Sequence, residues 1–158
     1  MKKIIALLMV FCIVIGFCAC TFLSPSDTAP ASQGNTQNTE EVLLNNETLT
    51  VTYIGAKDES SLGVFYVMLK VENKAETEVV INLEDADVDG ETIPMITTGV
   101  PLKIRPGNSG QTSFIFSMVN LSISSMAEAE KATFRVVARN SDTYETVYES
   151  ELLTISLH

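Results

Sequence analysis

From Val42 to Leu157 the chain consists of short runs of apolar and β-branched residues separated by turn-forming ones. In Val64-Phe65-Tyr66-Val67-Met68-Leu69-Lys70-Val71, alternation places Phe65, Val67, Leu69 and Val71 on one face. That face is expected inside, because successive side chains of a strand point to opposite sides. Phe114 and Phe116 alternate with Ser113 and Ser117, and Phe134, Val136 and Ala138 alternate with Arg135 and Arg139. Such alternation marks half-buried antiparallel strands. The pattern predicts strands near 48–56, 63–72, 78–83, 86–96, 110–117, 132–140 and 144–156. Turn signals fall at Asn73-Lys74, Asp89-Gly90, Pro106-Gly107-Asn108 and Asn140-Ser141-Asp142.

A single helical candidate, 118–130, lies between the fifth and sixth predicted strands, where Leu121, Ile123 and Met126 would cap one end of the sheets. Seven or so strands at this spacing predict an all-β domain, an immunoglobulin-like antiparallel β-sandwich with one short helical crossover. Residues 41–158 are expected to form it. About 115 residues suffice for one hydrophobic core.

Ahead of the domain the pattern changes twice. Lys2 and Lys3, followed by the apolar run Ile4 to Phe17, read as a secretory signal peptide. The run falls short of the about 20 apolar residues that a membrane-spanning helix needs. Phe17-Cys18-Ala19-Cys20 resembles the lipobox of bacterial lipoproteins, with Ala19 as the small residue before the lipidated cysteine, Cys20. Phe17 and Cys18 depart from the usual leucine and small residue of that motif. The expectation is a signal peptide at 1–19 and an acylated, palmitate-bearing Cys20. The domain would then be held on the extracytoplasmic face of the cell membrane. The alternative is a leader that stays uncleaved as an anchor, which puts the domain on the same side. Each buried acyl CH₂ contributes about 0.8 kcal/mol, so a multiply acylated N-terminus holds firmly. Residues 20–40, rich in Ser, Thr, Pro, Asn and Gln, carry too little apolar surface to offset ordering entropy and read as a flexible, disordered linker.

All three cysteines, Cys12, Cys18 and Cys20, belong to this leader region. The domain therefore has neither a disulfide nor a thiolate metal site. An exported domain without disulfides fits a Gram-positive surface. Loss of Lys2 and Lys3 with the leader takes the formal net charge from −10 to −12. An acidic surface repels phosphate backbones, which argues against nucleic acid as a partner. The same acidity keeps the domain soluble and off anionic lipid.

One stretch has the spacing of metal chemistry. Asp85-Ala86-Asp87-Val88-Asp89-Gly90 matches the first half of an EF-hand calcium loop, in which alternate carboxylates converge on a hard cation. The second half fails, because Ile96 stands where a bidentate glutamate is required. A hairpin turn at Asp89-Gly90 is the preferred reading, since that dipeptide supplies the positive φ angles of a type I′ turn. A calcium-dependent surface module using Asp85, Asp87 and Asp89 is the alternative.

The sole histidine is the terminal His158, so Ser-His-Asp and Cys-His chemistry have no base and zinc has no histidine cluster. A cell-wall hydrolase using two carboxylates is the residual enzymatic alternative, there being twenty acidic residues. With neither a catalytic group nor a cofactor expected, the remaining candidates are interaction residues. Tyr66 and Met68 fall opposite the Phe65 face, and Tyr144 and Tyr148 lie in the last predicted strand; aromatic and methionine side chains are frequent at protein contacts. The preferred reading is that the 118–130 segment or a neighbouring loop covers them, since exposed apolar residues alone are ordinary.

The order of segments carries a resemblance. Leu69-Lys70-Val71-Glu72-Asn73-Lys74 is followed by Val88-Asp89-Gly90, Ile104-Arg105-Pro106-Gly107, Phe114-Ile115-Phe116, Phe134-Arg135-Val136 and Tyr144-Glu145-Thr146-Val147-Tyr148. Over about 49–157 this resembles a family of Gram-positive lipoproteins whose immunoglobulin-like extracellular domain is of unknown function. The resemblance implies fold and location and transfers no catalytic residue. The expected function is a non-catalytic, lipid-anchored binding module. Its expected partners are the membrane, through the N-terminal lipid, and an extracytoplasmic protein or wall component.

Overall fold

A computed structural model describes residues 36–37, 40–93, 95–97 and 101–158. The expected signal peptide 1–19 and Cys20 lie outside these residues, as does most of the 20–40 linker. Twelve strands and one helix are found among the described residues: β1 (Thr36–Gln37), β2 (Glu41–Asn45), β3 (Leu49–Glu59), β4 (Val64–Asn73), β5 (Val79–Val88), β6 (Glu91–Thr92), β7 (Met95–Thr97), β8 (Lys103–Ile104), β9 (Ser109–Ser117), α1 (Met118–Leu121), β10 (Lys131–Asn140), β11 (Thr146–Glu149) and β12 (Leu153–Ser156). All pairings are antiparallel.

The first sheet runs β1-β3-β4-β9-β7, with β2 also on β3; the second runs β11-β10-β5-β6, with β12 also on β10 and β8 on β5. The result is the expected immunoglobulin-like sandwich. Its core takes Phe65, Val67, Leu69, Val71, Phe114 and Phe116 from the first sheet. The second sheet supplies Val79, Ile81, Phe134, Val136 and Ala138. The faces predicted by alternation are the buried ones. Phe65 and Phe116 stack with ring centroids 5.0 Å apart, an offset arrangement worth about 1 kcal/mol beyond area burial.

The structure corrects several expected boundaries. Predicted strands 78–83 and 86–96 are not two strands. β5 runs continuously from Val79 to Val88, and the sequence pattern breaks because the register against β10 shifts between Thr133 and Arg135. Asp85, at φ 50°, sits at this bulge, and one extra residue swaps which side chains face inward. Val79 and Ile81 are buried before it, Ala86 and Val88 after it. β3 does the same, with a shift between Tyr53 and Gly55 that moves the buried set from Leu49, Val51 and Tyr53 to Ala56.

The predicted strand 144–156 is divided into β11 and β12. Ser150, 1% exposed, has a hydroxyl that accepts the Val136 N–H at 2.9 Å and donates to the Glu151 carbonyl at 2.6 Å. A side chain that competes for backbone partners interrupts the ladder. The 118–130 helix shrinks to α1 and a 3₁₀ turn at Met126–Glu128. Ser122 closes α1 in the left-handed conformation, and serines favour caps over helix interiors. The segment still crosses between the sheets as expected, and Leu121, Ile123 and Met126 pack on the core.

Candidate functional site

The three aspartates occupy the end of β5 and the turn that follows. Asp89 and Gly90, at φ 53° and 88°, join β5 to β6 as a two-residue turn closed by Val88 and Glu91. Positive φ at both positions is the type I′ geometry that Asp-Gly supplies. Each carboxylate has its own protein donors. Asp85 Oδ2 accepts from Arg135 Nε at 2.9 Å. Asp87 Oδ1 accepts the Gly90 N–H at 3.1 Å. Asp89 takes the N–H groups of Glu130 at 3.0 Å and Lys131 at 3.1 Å. Asp89 thus pins the start of β10 to the turn. Among the described residues no group of three His, Cys, Asp or Glu side chains is arranged to hold a metal ion.

The interaction candidates separate. Tyr66 and Met68 are half-buried on the outer face of the first sheet. Tyr66 stands between Lys57 of β3 and Ile115 of β9, and Met68 between Gly55 and Ser113. Since Gly55 brings no side chain, the row at Met68 is low. A shallow depression of about 190 Å³ lies here, lined by Lys57, Glu59, Tyr66, Met68 and Ser113. Lys57 donates to Glu59 beside it. That hydrogen bond, and then the carboxylate's charge, hold the ammonium above the usual lysine range. The residues lining the depression come from β3, β4 and β9, and none from the 118–130 segment.

Tyr144 and Tyr148 belong to the second sheet. Tyr144, 65% exposed at φ 61°, sits in the loop between β10 and β11. Tyr148, opposite Ala138, packs against the core. The outer face of this sheet is charged: Arg135 pairs with Asp85 at 2.9 Å and Glu149 at 3.8 Å, and Arg139 with Glu84 at 2.7 Å.

Sequence reasoning missed two buried polar groups. It read Asn73 only as a turn signal. Asn73 is fully buried; its Nδ2 donates to the carbonyls of Thr77 and Ile104, both at 2.8 Å, and its Oδ1 accepts the Ala75 N–H at 2.9 Å. Because Ile104 pairs with Val79 of β5, this side chain clamps the two sheets at one end. Tyr53 is 3% exposed, and its hydroxyl has no partner among the described residues. Burial, and then the charge of Glu41, push it up to about 12. Position within an apolar strand hid Tyr53, and a turn-forming neighbourhood hid Asn73.

Among the described residues no helix is long and apolar enough to cross a membrane. No known protein family matches the sequence, and no curated protein does either.

Proposed function

We propose that the chain is a non-catalytic, lipid-anchored module on the extracytoplasmic face of the cell membrane, one that binds a protein or wall component through the outer face of its first sheet. The observation that carries this reading is the contrast between the two outer faces. One holds the half-buried Tyr66 and Met68 around a depression that also takes in the Lys57–Glu59 pair, and the other carries three ion pairs, of Arg135 with Asp85 and Glu149 and of Arg139 with Glu84. Aromatic and methionine side chains with few charges characterise the centres of protein interfaces. Support for the location comes from Lys2, Lys3, the apolar run to Phe17 and the Ala19-Cys20 pair, and from the likeness in segment order to Gram-positive lipoproteins.

The test places a photo-reactive amino acid at position 66 or, as control, at position 135 of the full chain in a Gram-positive host. The expected result is a defined adduct from position 66 alone, in the membrane fraction, with Cys20→Ala releasing the protein from that fraction. Equal adducts from both positions would remove the binding face. A wild-type chain found free of the membrane would remove the anchor.

A further inference from the structure

One corner of the sandwich is apolar at its surface without being part of either outer face. Leu62 in the 3₁₀ turn after β3 is 69% exposed, and Val119 in α1 is 77% exposed. Their loops are tied together. The Met118 N–H donates to the Gly63 carbonyl at 2.9 Å, and the Val119 Cγ2 lies 3.5 Å from where a β-carbon on Gly63 would stand. Both side chains therefore project from one small area, although exposure of this size in an aliphatic residue forgoes the stabilisation of burial.

The charge pattern singles out the same corner. In a chain of net charge −10, no charged residue occurs from Ser60 to Leu69 or from Pro106 to Ala127. The carboxylates flanking these loops in sequence accept hydrogen bonds from protein donors, and of the three Glu128 stays exposed. Asp58 accepts from Ser60, Ser125 and Met126, Glu59 from Lys57, and Glu128 from Ser124. On the second-sheet side of this end, Glu91 and Glu130 are exposed and would be repelled by anionic lipid. Residues 60–69 and 106–127 carry no such charge.

The N-terminal connection leads to that corner. β1 is antiparallel to β3 with Thr36 opposite Lys57, so the chain enters the first sheet from the end at which β3 finishes and the Leu62 turn begins. Sixteen residue steps separate Thr36 from Cys20, at most about 55 Å of chain.

We infer that the Leu62–Val119 corner is a membrane-docking surface: its occupant is the phospholipid bilayer to which the N-terminus is anchored, and the sandwich rests on that bilayer with the first sheet's corner down. The inference rests on the lipid-anchor reading above. Two projecting aliphatic side chains on loops with no charged residue from 60 to 69 or from 106 to 127 match the headgroup–acyl boundary, where apolar side chains bury. Docking would present the Tyr66–Met68 face sideways at a set height, where an acyl tether alone would leave the orientation free.

The experiment uses the full lipidated chain, purified from membranes and reconstituted in phosphatidylglycerol–phosphatidylethanolamine vesicles with nitroxide-bearing acyl chains. An environment-sensitive fluorescent amino acid replaces Leu62, Val119 or, as control, Tyr144, which lies at the opposite end of the sandwich. The expected result is nitroxide quenching several-fold stronger at 62 and 119 than at 144. Protein that sediments with the vesicles while all three positions are quenched equally weakly overturns the docking and leaves the anchor standing. Blue-shifted emission at 62 and 119 without lipid quenching overturns it too, since protein, another copy included, would then cover the corner. Failure to sediment with vesicles overturns the anchor, and the docking with it.

Discussion

At the scale of single residues, Tyr53 and Asn73 show how differently two buried polar groups act. The Tyr53 hydroxyl is buried without a partner among the described residues, so the fold holds it neutral and raises its pKa from 10.0 to about 12. A group whose folded pKa lies above its unfolded one contributes stability below the unfolded value and loses it as pH rises through the folded value. Stability is therefore expected to fall between pH 10 and pH 12, by on the order of 2 kcal/mol, and Tyr53→Phe should remove that slope. Urea titrations of both proteins at intervals across the range will show it, and parallel pH profiles would rule the effect out. Asn73 is the opposite case, with three hydrogen bonds satisfied inside the core. Asn73→Ala leaves the buried Ile104 carbonyl without that donor and is expected to cost about 2–3 kcal/mol in chemical denaturation; a loss below about 0.5 kcal/mol would mean the clamp is idle. A sequence reveals that these residues are polar, but only the three-dimensional surroundings assign one of them partners and leave the other with none.

At the scale of elements, the Asp89-Gly90 turn was legible because its requirement is local: two adjacent residues must adopt positive φ, and this dipeptide does so readily. The same argument predicts the effect of Asp89→Ala. It places a residue disfavoured at φ 53° in the turn and removes the acceptor for the Glu130 and Lys131 N–H groups. The expected loss is about 1–2 kcal/mol, and Asp89→Asn, which tolerates the left-handed conformation, should restore most of it. With the three carboxylates engaged by separate donors, the wild-type chain should melt at the same temperature in millimolar calcium and in excess EDTA. A calcium-dependent rise of several degrees, absent in Asp87→Ala, would establish the metal reading in its place. The bulges at Asp85 and beside Gly55 were not legible. A bulge answers to the partner strand's register, and the alternation it interrupts looks in sequence like the end of one strand and the beginning of another.

At the scale of the whole molecule, one apolar cluster draws on both sheets, which predicts a single cooperative transition. Phe116→Ala removes a fully buried ring stacked on Phe65 and is expected to cost about 3–5 kcal/mol. Hydrogen exchange should then accelerate in β10 of the second sheet as well as in β4 and β9 of the first; acceleration confined to the first sheet would mean that the sheets open independently. What the sequence alone determined is the class of fold and the inward faces of β4, β9 and β10, because period-two alternation and turn chemistry act over a few residues. Alternation likewise sent Tyr66 and Met68 to the face opposite the core. The tertiary structure alone decided which outward residues share a surface. It set Tyr66 and Met68 beside Lys57 and away from Tyr144 and Tyr148, turned each aspartate to its own donor, and brought Leu62 together with Val119 at one corner. Those outcomes depend on strand order, register and loop closure, and contacts between residues dozens of positions apart leave no periodic trace in the chain.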